Sequence, residues 1–172
     1  MTSVFSHVAG WASGGLNLSD PQQPRRLNAG VVTADFFNTL GIHPALGRSF
    51  APEEGKPGNT HVVVLSYELW QRQYGGRDML EQPILLNGKA YQVIGVMPRN
   101  FSFPQQSDLW IPMSVPVTFE TFEPFRGWLN SQVIARVAPG VPVSTAAAQL
   151  LARWRLGIAR DSVAAHETNL AE

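Results

Sequence analysis

The sequence predicts an α+β fold in which short strands and tight turns outnumber helices. Asn87-Gly88 lies between the apolar Ile84–Leu86 and the alternating Tyr91–Val96, the strongest short-range hairpin signal a sequence carries. Val62–Leu65 is an unbroken apolar run, as expected of a strand buried on both faces. The 15 glycines and 13 prolines fall between such runs and do not collect in one linker, which favours turns over long helices.

With 172 residues, 44% of them hydrophobic, the chain can bury the core of one domain or two small ones. Thirteen basic residues balance 13 acidic ones, so nothing draws the whole chain to nucleic acid or to an anionic membrane. The absence of cysteine removes disulfides, thiolate metal sites and a cysteine nucleophile, and leaves the compartment open. No apolar run approaches the roughly 18 residues of a membrane helix, and the N-terminus lacks a signal-peptide pattern, so the expectation is a soluble chain.

In chain order, Leu16 and Leu18 alternate as in a short strand that ends at Ser19-Asp20-Pro21, and Gly14-Gly15 reads as a turn. A second strand follows over Arg26–Val32. Thr33 is placed to cap a short helix with Phe36, Phe37 and Leu40 on one face, which Gly41 stops. His43–Phe50 is an irregular connector and Glu53–Asn59 a polar loop. After the Val62–Leu65 strand, Ser66 caps a helix whose buried stripe is Leu69, Trp70 and Tyr74 and which ends at Gly75-Gly76. Beyond the hairpin, Met97-Pro98 and Phe101–Pro104 form an aromatic loop leading to Asp108–Pro112, whose proline suggests an edge strand or extended segment that includes Trp110. Gln132–Val137 is another strand and Pro139-Gly140 a turn. Val143, Ala147, Leu150, Leu151, Trp154 and Ile158 then mark an amphipathic helix, and the last dozen residues are polar and frayed.

The residues offer little chemistry. His7, His43, His61 and His166 lack any metal-ligand spacing. Ser66 stands where a hydrolase nucleophile would, but Leu65-Ser66-Tyr67 is not Gly-x-Ser-x-Gly, so it reads as a helix cap. Glu53-Glu54 reads as a solvated pair. The paired glycines lack the lysine or fingerprint of a phosphate site. Phe101, Phe103 and Trp110 read as core and loop anchors ahead of a ligand groove. The expectation is a non-catalytic module with no metal and no cofactor, in which Thr33, Gly41, Ser66, Trp70, Gly75, Asn87, Gly88, Pro98, Trp110, Pro139 and Gly140 are structural.

Three blocks carry a resemblance: Val32–Ile42 with Pro44–Phe50, then Val63–Trp70 with Tyr74–Gly76, then Leu86–Pro98 with Phe101–Pro104 and Asp108–Pro112. In this order, over about residues 5 to 155, they resemble the periplasmic core domain of MacB-like ABC transporter permeases, especially the orphan permeases with duplicated domains. Val133–Val141 continues the likeness, with Pro142 where a capping serine or threonine is usual.

The resemblance implies an external domain of two lobes between two transmembrane helices. Residues 1–31 and 113–172 would flank and build a porter-like lobe, and 32–112 would form an inserted mixed lobe. It implies a non-catalytic role on the periplasmic face of the inner membrane, coupling membrane-helix movement to efflux or to partner proteins. The implied partners are the permease's own membrane helices, an ABC ATPase and a periplasmic protein. Against the family pattern the porter-like lobe is incomplete, so the chain is expected to be a fragment whose unpaired strand edges favour a homodimer. The alternative is a stand-alone interaction or ligand-binding module that reuses the fold.

Overall fold

A computed structural model of the chain describes residues 4–20, 23–58, 61–113 and 132–152. Its strands are β1 (Phe5–Leu18), β2 (Arg25–Val32), β3 (Leu46–Gly47), β4 (Val62–Leu65), β5 (Pro83–Leu86), β6 (Lys89–Val96), β7 (Leu109–Pro112) and β8 (Gln132–Val137). Two short helices, α1 (Phe36–Leu40) and α2 (Tyr67–Tyr74), a 3₁₀ turn at Pro52–Gly55 and a helix at 143–152 complete the α+β fold. The chain divides into a unit Val8–Ala135 and a smaller one drawn from Met1–His7 and Arg136–Glu172.

The strands form one mixed sheet in the order β2-β7-β4-β6-β5-β1-β8, and β1 also pairs with β2. Within the larger unit the sheet therefore closes on itself, β1 joining β2 along Trp11–Leu18 and touching β5 at the single pair Leu18↔Leu86. Both faces are covered. One face buries Leu27, Ala29, Val63, Leu65, Val93, Val96 and Leu109 with Leu69 of α2. The other buries Trp11, Val32, Val62, Val64, Ile94 and Trp110 with Phe36 and Phe37 of α1. The unbroken Val62–Leu65 run thus feeds both cores through the alternation of a strand. β6 keeps step only through a bulge: Val63 pairs with Val93 and Val64 with Gly95, so the extra residue puts Val93 and Val96 on the same face.

Several elements differ from the expectations. Gly14-Gly15 is not a turn but lies inside the 14-residue β1, opposite Ala29 and Asn28, because the ladder to β2 holds that backbone extended. α1 begins after Asp35, not after Thr33; the Thr33 hydroxyl is taken by the Gly10 N–H at 3.1 Å, while the Thr33 carbonyl accepts from Phe36. β7 is no edge strand but runs between β2 and β4. Pro112 is tolerated there because the β4 ladder stops at Trp110, leaving no carbonyl that needs its missing N–H. The connector before Phe50 contains β3, whose Gly47 lies opposite Gly95. A Cβ on Gly47 would come 2.2 Å from the Ile94 carbonyl oxygen, and one on Gly95 2.7 Å from that of Arg48, so this approach requires glycine on both sides.

In the smaller unit Ala138 N–H donates to the Val4 carbonyl and the Ser6 hydroxyl to that of Arg136. Ala138–Val141 closes a turn with Pro139 second and Gly140 third at φ 79°, as a type II turn needs. On the helix at 143–152, Ala146 is buried, whereas Val143, Leu150 and Leu151 are exposed. Trp154, Ile158, the final dozen residues and His166 lie outside the described residues.

Candidate functional surface

The chain offers surfaces more than a catalytic cavity. α2 organises the first of them. Ser66, buried at the end of β4, accepts the Leu69 N–H at 3.1 Å through its hydroxyl, which is thereby committed to the helix start. Its own N–H donates to the Asp108 carbonyl at 2.8 Å. Asp108 ties three elements together: one carboxylate oxygen accepts the Asn28 N–H at 2.9 Å and the other faces Arg72 of α2 at 3.2 Å. Beside it the Arg99 guanidinium lies 4.4 Å from the centre of the Tyr67 ring, and Glu68 accepts the Asn100 N–H at 3.0 Å. Trp70 is only half-buried, because its indole N–H reaches out to the Arg77 carbonyl at 2.7 Å, and Tyr74 is half-buried too; Leu69 alone of the expected stripe is fully covered. Gly75 ends α2 at φ 62° and Gly41 ends α1 at φ 71°, both left-handed.

The aromatic loop is the second surface. Trp110 is fully buried, its indole N–H donating to the Phe103 carbonyl at 2.9 Å and its ring packing with Phe37 and Phe101. Phe101 N–H closes the preceding turn on the Pro98 carbonyl. Phe103 differs: it stacks on Phe36 and meets Trp11 edge-on, yet stays 41% exposed. Backbone strain gathers in the same loop, with Asn100, Gln105 and Gln106 all at positive φ.

Asn87 and Gly88 form the tip of the β5–β6 hairpin at φ 49° and 76°, as a type I′ turn requires. The tip is packed against β1, where the Asn87 side chain accepts the Asn17 N–H at 2.9 Å.

Two acidic or phenolic groups, Glu54 and Tyr74, are shifted by their surroundings. Glu54 is not a solvated acid: it takes a two-pronged contact from Arg48 at 2.7 and 3.0 Å and reaches back to the Ala51 N–H at 2.8 Å. Burial pushes the Glu54 carboxyl up, but Arg48 and the Ala51 N–H outweigh it and hold the group below its ordinary value. Burial, with Asp20 adding to it and Arg77 opposing, raises the Tyr74 hydroxyl. The His61 ring lies tilted against that of Tyr91, and among the described residues no group of histidines and acids is placed to hold a metal. Among them, too, no helix is long and apolar enough to cross a membrane.

Sequence reading missed Arg48, Arg99 and Asp108 as contact makers. Only Arg48 has its partner close in sequence, Glu54, six residues on and third in the 3₁₀ turn.

The fold is shared with external domains of transporters. The periplasmic region of MacB from Actinobacillus actinomycetemcomitans superposes with a TM-score of 0.66 at 17% identity, covering 87% of this chain and 65% of that one. The extracellular domain of the noncanonic ABC-type transporter YknZ from Gram-positive bacteria gives 0.57 at 13% identity, covering 80% and 68%. A domain of a putative permease from Porphyromonas gingivalis gives 0.57 at 15%, covering 89% and 70%. The chain thus spans about two thirds of the length of each. No curated protein matches it. The family described as the MacB-like periplasmic core domain matches residues 2–153, and the chain belongs to that family.

Proposed function

We propose that this chain is the extracytoplasmic coupling module of an ABC transporter permease. It passes ATPase-driven movement of the membrane helices to efflux or to a periplasmic partner protein and does no chemistry of its own. The family match over residues 2–153 carries this reading. The commitment of the Ser66 hydroxyl to the α2 cap supports it against a hydrolase. The implied partners are the permease's membrane helices, an ABC ATPase, a periplasmic protein and a second copy of the chain. The division at 31/32 and 112/113 belongs to the same proposal; its first boundary falls at the last residue of β2, and limited proteolysis tests it.

The chain has no cysteine, so Lys89→Cys at the exposed hairpin tip gives a unique thiol in a cysteine-free parent permease. An impermeant maleimide should label it in intact cells, at a rate that changes when ATP hydrolysis is blocked. Labelling only after lysis refutes the external location; labelling indifferent to ATP refutes the coupling. The exposed Phe103 on its strained loop favours a second reading, an interaction module that works without a permease. Adjacent genes encoding membrane helices and an ATPase would count against that reading.

A further inference from the structure

The closed sheet of the larger unit is unevenly fastened. β1 and β2 pair from Trp11 to Leu18, while β2–β7, β4–β6 and β5–β6 each pair through four residues on a strand. β4–β7 has two pairs and is reinforced by Ser66 N–H on the Asp108 carbonyl. Between β1 and β5 there is one pair, Leu18↔Leu86.

What holds that seam is a clasp in which two backbone bonds are joined by two to side chains. Asn87 N–H donates to the Asn17 carbonyl at 2.8 Å, and the Asn17 N–H is returned to the Asn87 side-chain oxygen at 2.9 Å. Ser19 N–H donates to the Leu85 carbonyl at 2.9 Å, and Gly88 N–H to the Ser19 hydroxyl at 3.3 Å. Asn17, Ser19, Asn87 and Gly88 are all exposed, so water competes for each bond. An open cleft of about 440 Å³ already lies at the seam, bounded by Leu18 and Ser19 on one side, Leu85 on the other, and Tyr74 and Arg77 at the end of α2.

We propose that the β1–β5 seam is where the closed sheet opens: β5 and the hairpin tip part from β1 while β6 stays paired with β4. Parting widens the cleft and uncovers Leu18 and Leu86, which are 3% and 1% exposed when it is shut. The Asn87 side chain is the catch, since it supplies the acceptor that a second ladder pair would otherwise provide. This rests on the seam's own bonding and not on the transport reading.

Native-state hydrogen exchange on the full chain tests it, with denaturant raised in steps below the unfolding transition. The amides of Asn17, Ser19, Asn87 and Gly88 should exchange at least about tenfold faster than those of Met97 and Met113, which donate to Leu65 and Val32. Their opening should respond to denaturant, because apolar surface is uncovered, but less steeply than global unfolding. Asn87→Gly keeps the positive φ and removes the catch; it should speed the seam amides a further fivefold to tenfold, roughly, and leave Met97 and Met113 unchanged. Ser19→Ala, which deletes the weaker bond to Gly88, should act in the same direction. The proposal is overturned if seam and core amides exchange together, if the seam amides show no denaturant response, or if neither variant changes them selectively.

Discussion

Gly30→Ala tests how tightly the aromatic core is built. Gly30 lies beside Trp110 in the parallel β2–β7 pairing, and a Cβ there would come 2.5 Å from Trp110 Cδ1. Carbon atoms rest at about 3.5–4.0 Å, so the indole would have to retreat by roughly 1 Å or more. It has nowhere to go: the residue is fully buried, its ring packs against Phe37 and Phe101, and its N–H is held by the Phe103 carbonyl. Overpacking of this kind costs about 1–3 kcal/mol, and a strained or lost indole hydrogen bond adds about 1 kcal/mol. The expected loss is ~2–4 kcal/mol, a lowering of Tm by roughly 5–15 °C for a chain of this size. Urea titration followed by tryptophan fluorescence and near-UV circular dichroism measures it. The decisive arm is a double-mutant cycle with Trp110→Leu, where the added methyl meets no ring and should be nearly neutral. A loss under about 0.5 kcal/mol in the wild type, or an equal loss in the Trp110→Leu background, would refute the steric reasoning.

Other substitutions separate backbone conformation, capping and charge. Gly88→Val should cost about 1–2 kcal/mol with no clash to blame, since nothing lies within 4 Å of its Cβ position and only the φ of 76° is strained; an unchanged Tm would contradict a type I′ tip. Ser66→Ala should lose about 1 kcal/mol in denaturant titration and Ser66→Asp much less, because the Leu69 N–H needs only an acceptor. Glu54→Gln should cost about 1 kcal/mol at neutral pH, kept modest because Arg48 is half-exposed. The folded Glu54 carboxyl lies below its ordinary value of 4.5, so its contribution is present above that pH and fades as pH falls through the lower folded value. The gap between wild type and Glu54→Gln, measured by denaturant at neutral pH and near pH 3, should therefore close in acid; a gap that widens there overturns the pairing.

The residues that announced themselves in the sequence were those whose conformation is settled by near neighbours. Asn87-Gly88 needs only its own positive φ, Ser66 only the N–H of Leu69, and Gly41 and Gly75 only the helix they end. What escaped was set by partners far along the chain. Gly14-Gly15 has the composition of a turn, and only β2 makes it a strand. Asp108–Pro112 has the proline of an edge, yet β7 lies between β2 and β4, and the β4 ladder ends two residues before that proline. Glu54 looks like half of a solvated pair until Arg48 is brought to it by the 3₁₀ turn. The β1–β5 clasp joins Asn17 to Asn87 across 70 residues, and neither asparagine carries a local sign of the other. Sequence periodicity reports which side of an element is buried, but not which element buries it. For this chain that difference is decisive, because a candidate surface is made where strands meet: Asp108 between β2, β7 and α2, Phe103 over α1 and β1, and Asn87 against β1. Family likeness supplied the order of the elements in advance; the fastening between them had to be read from the structure.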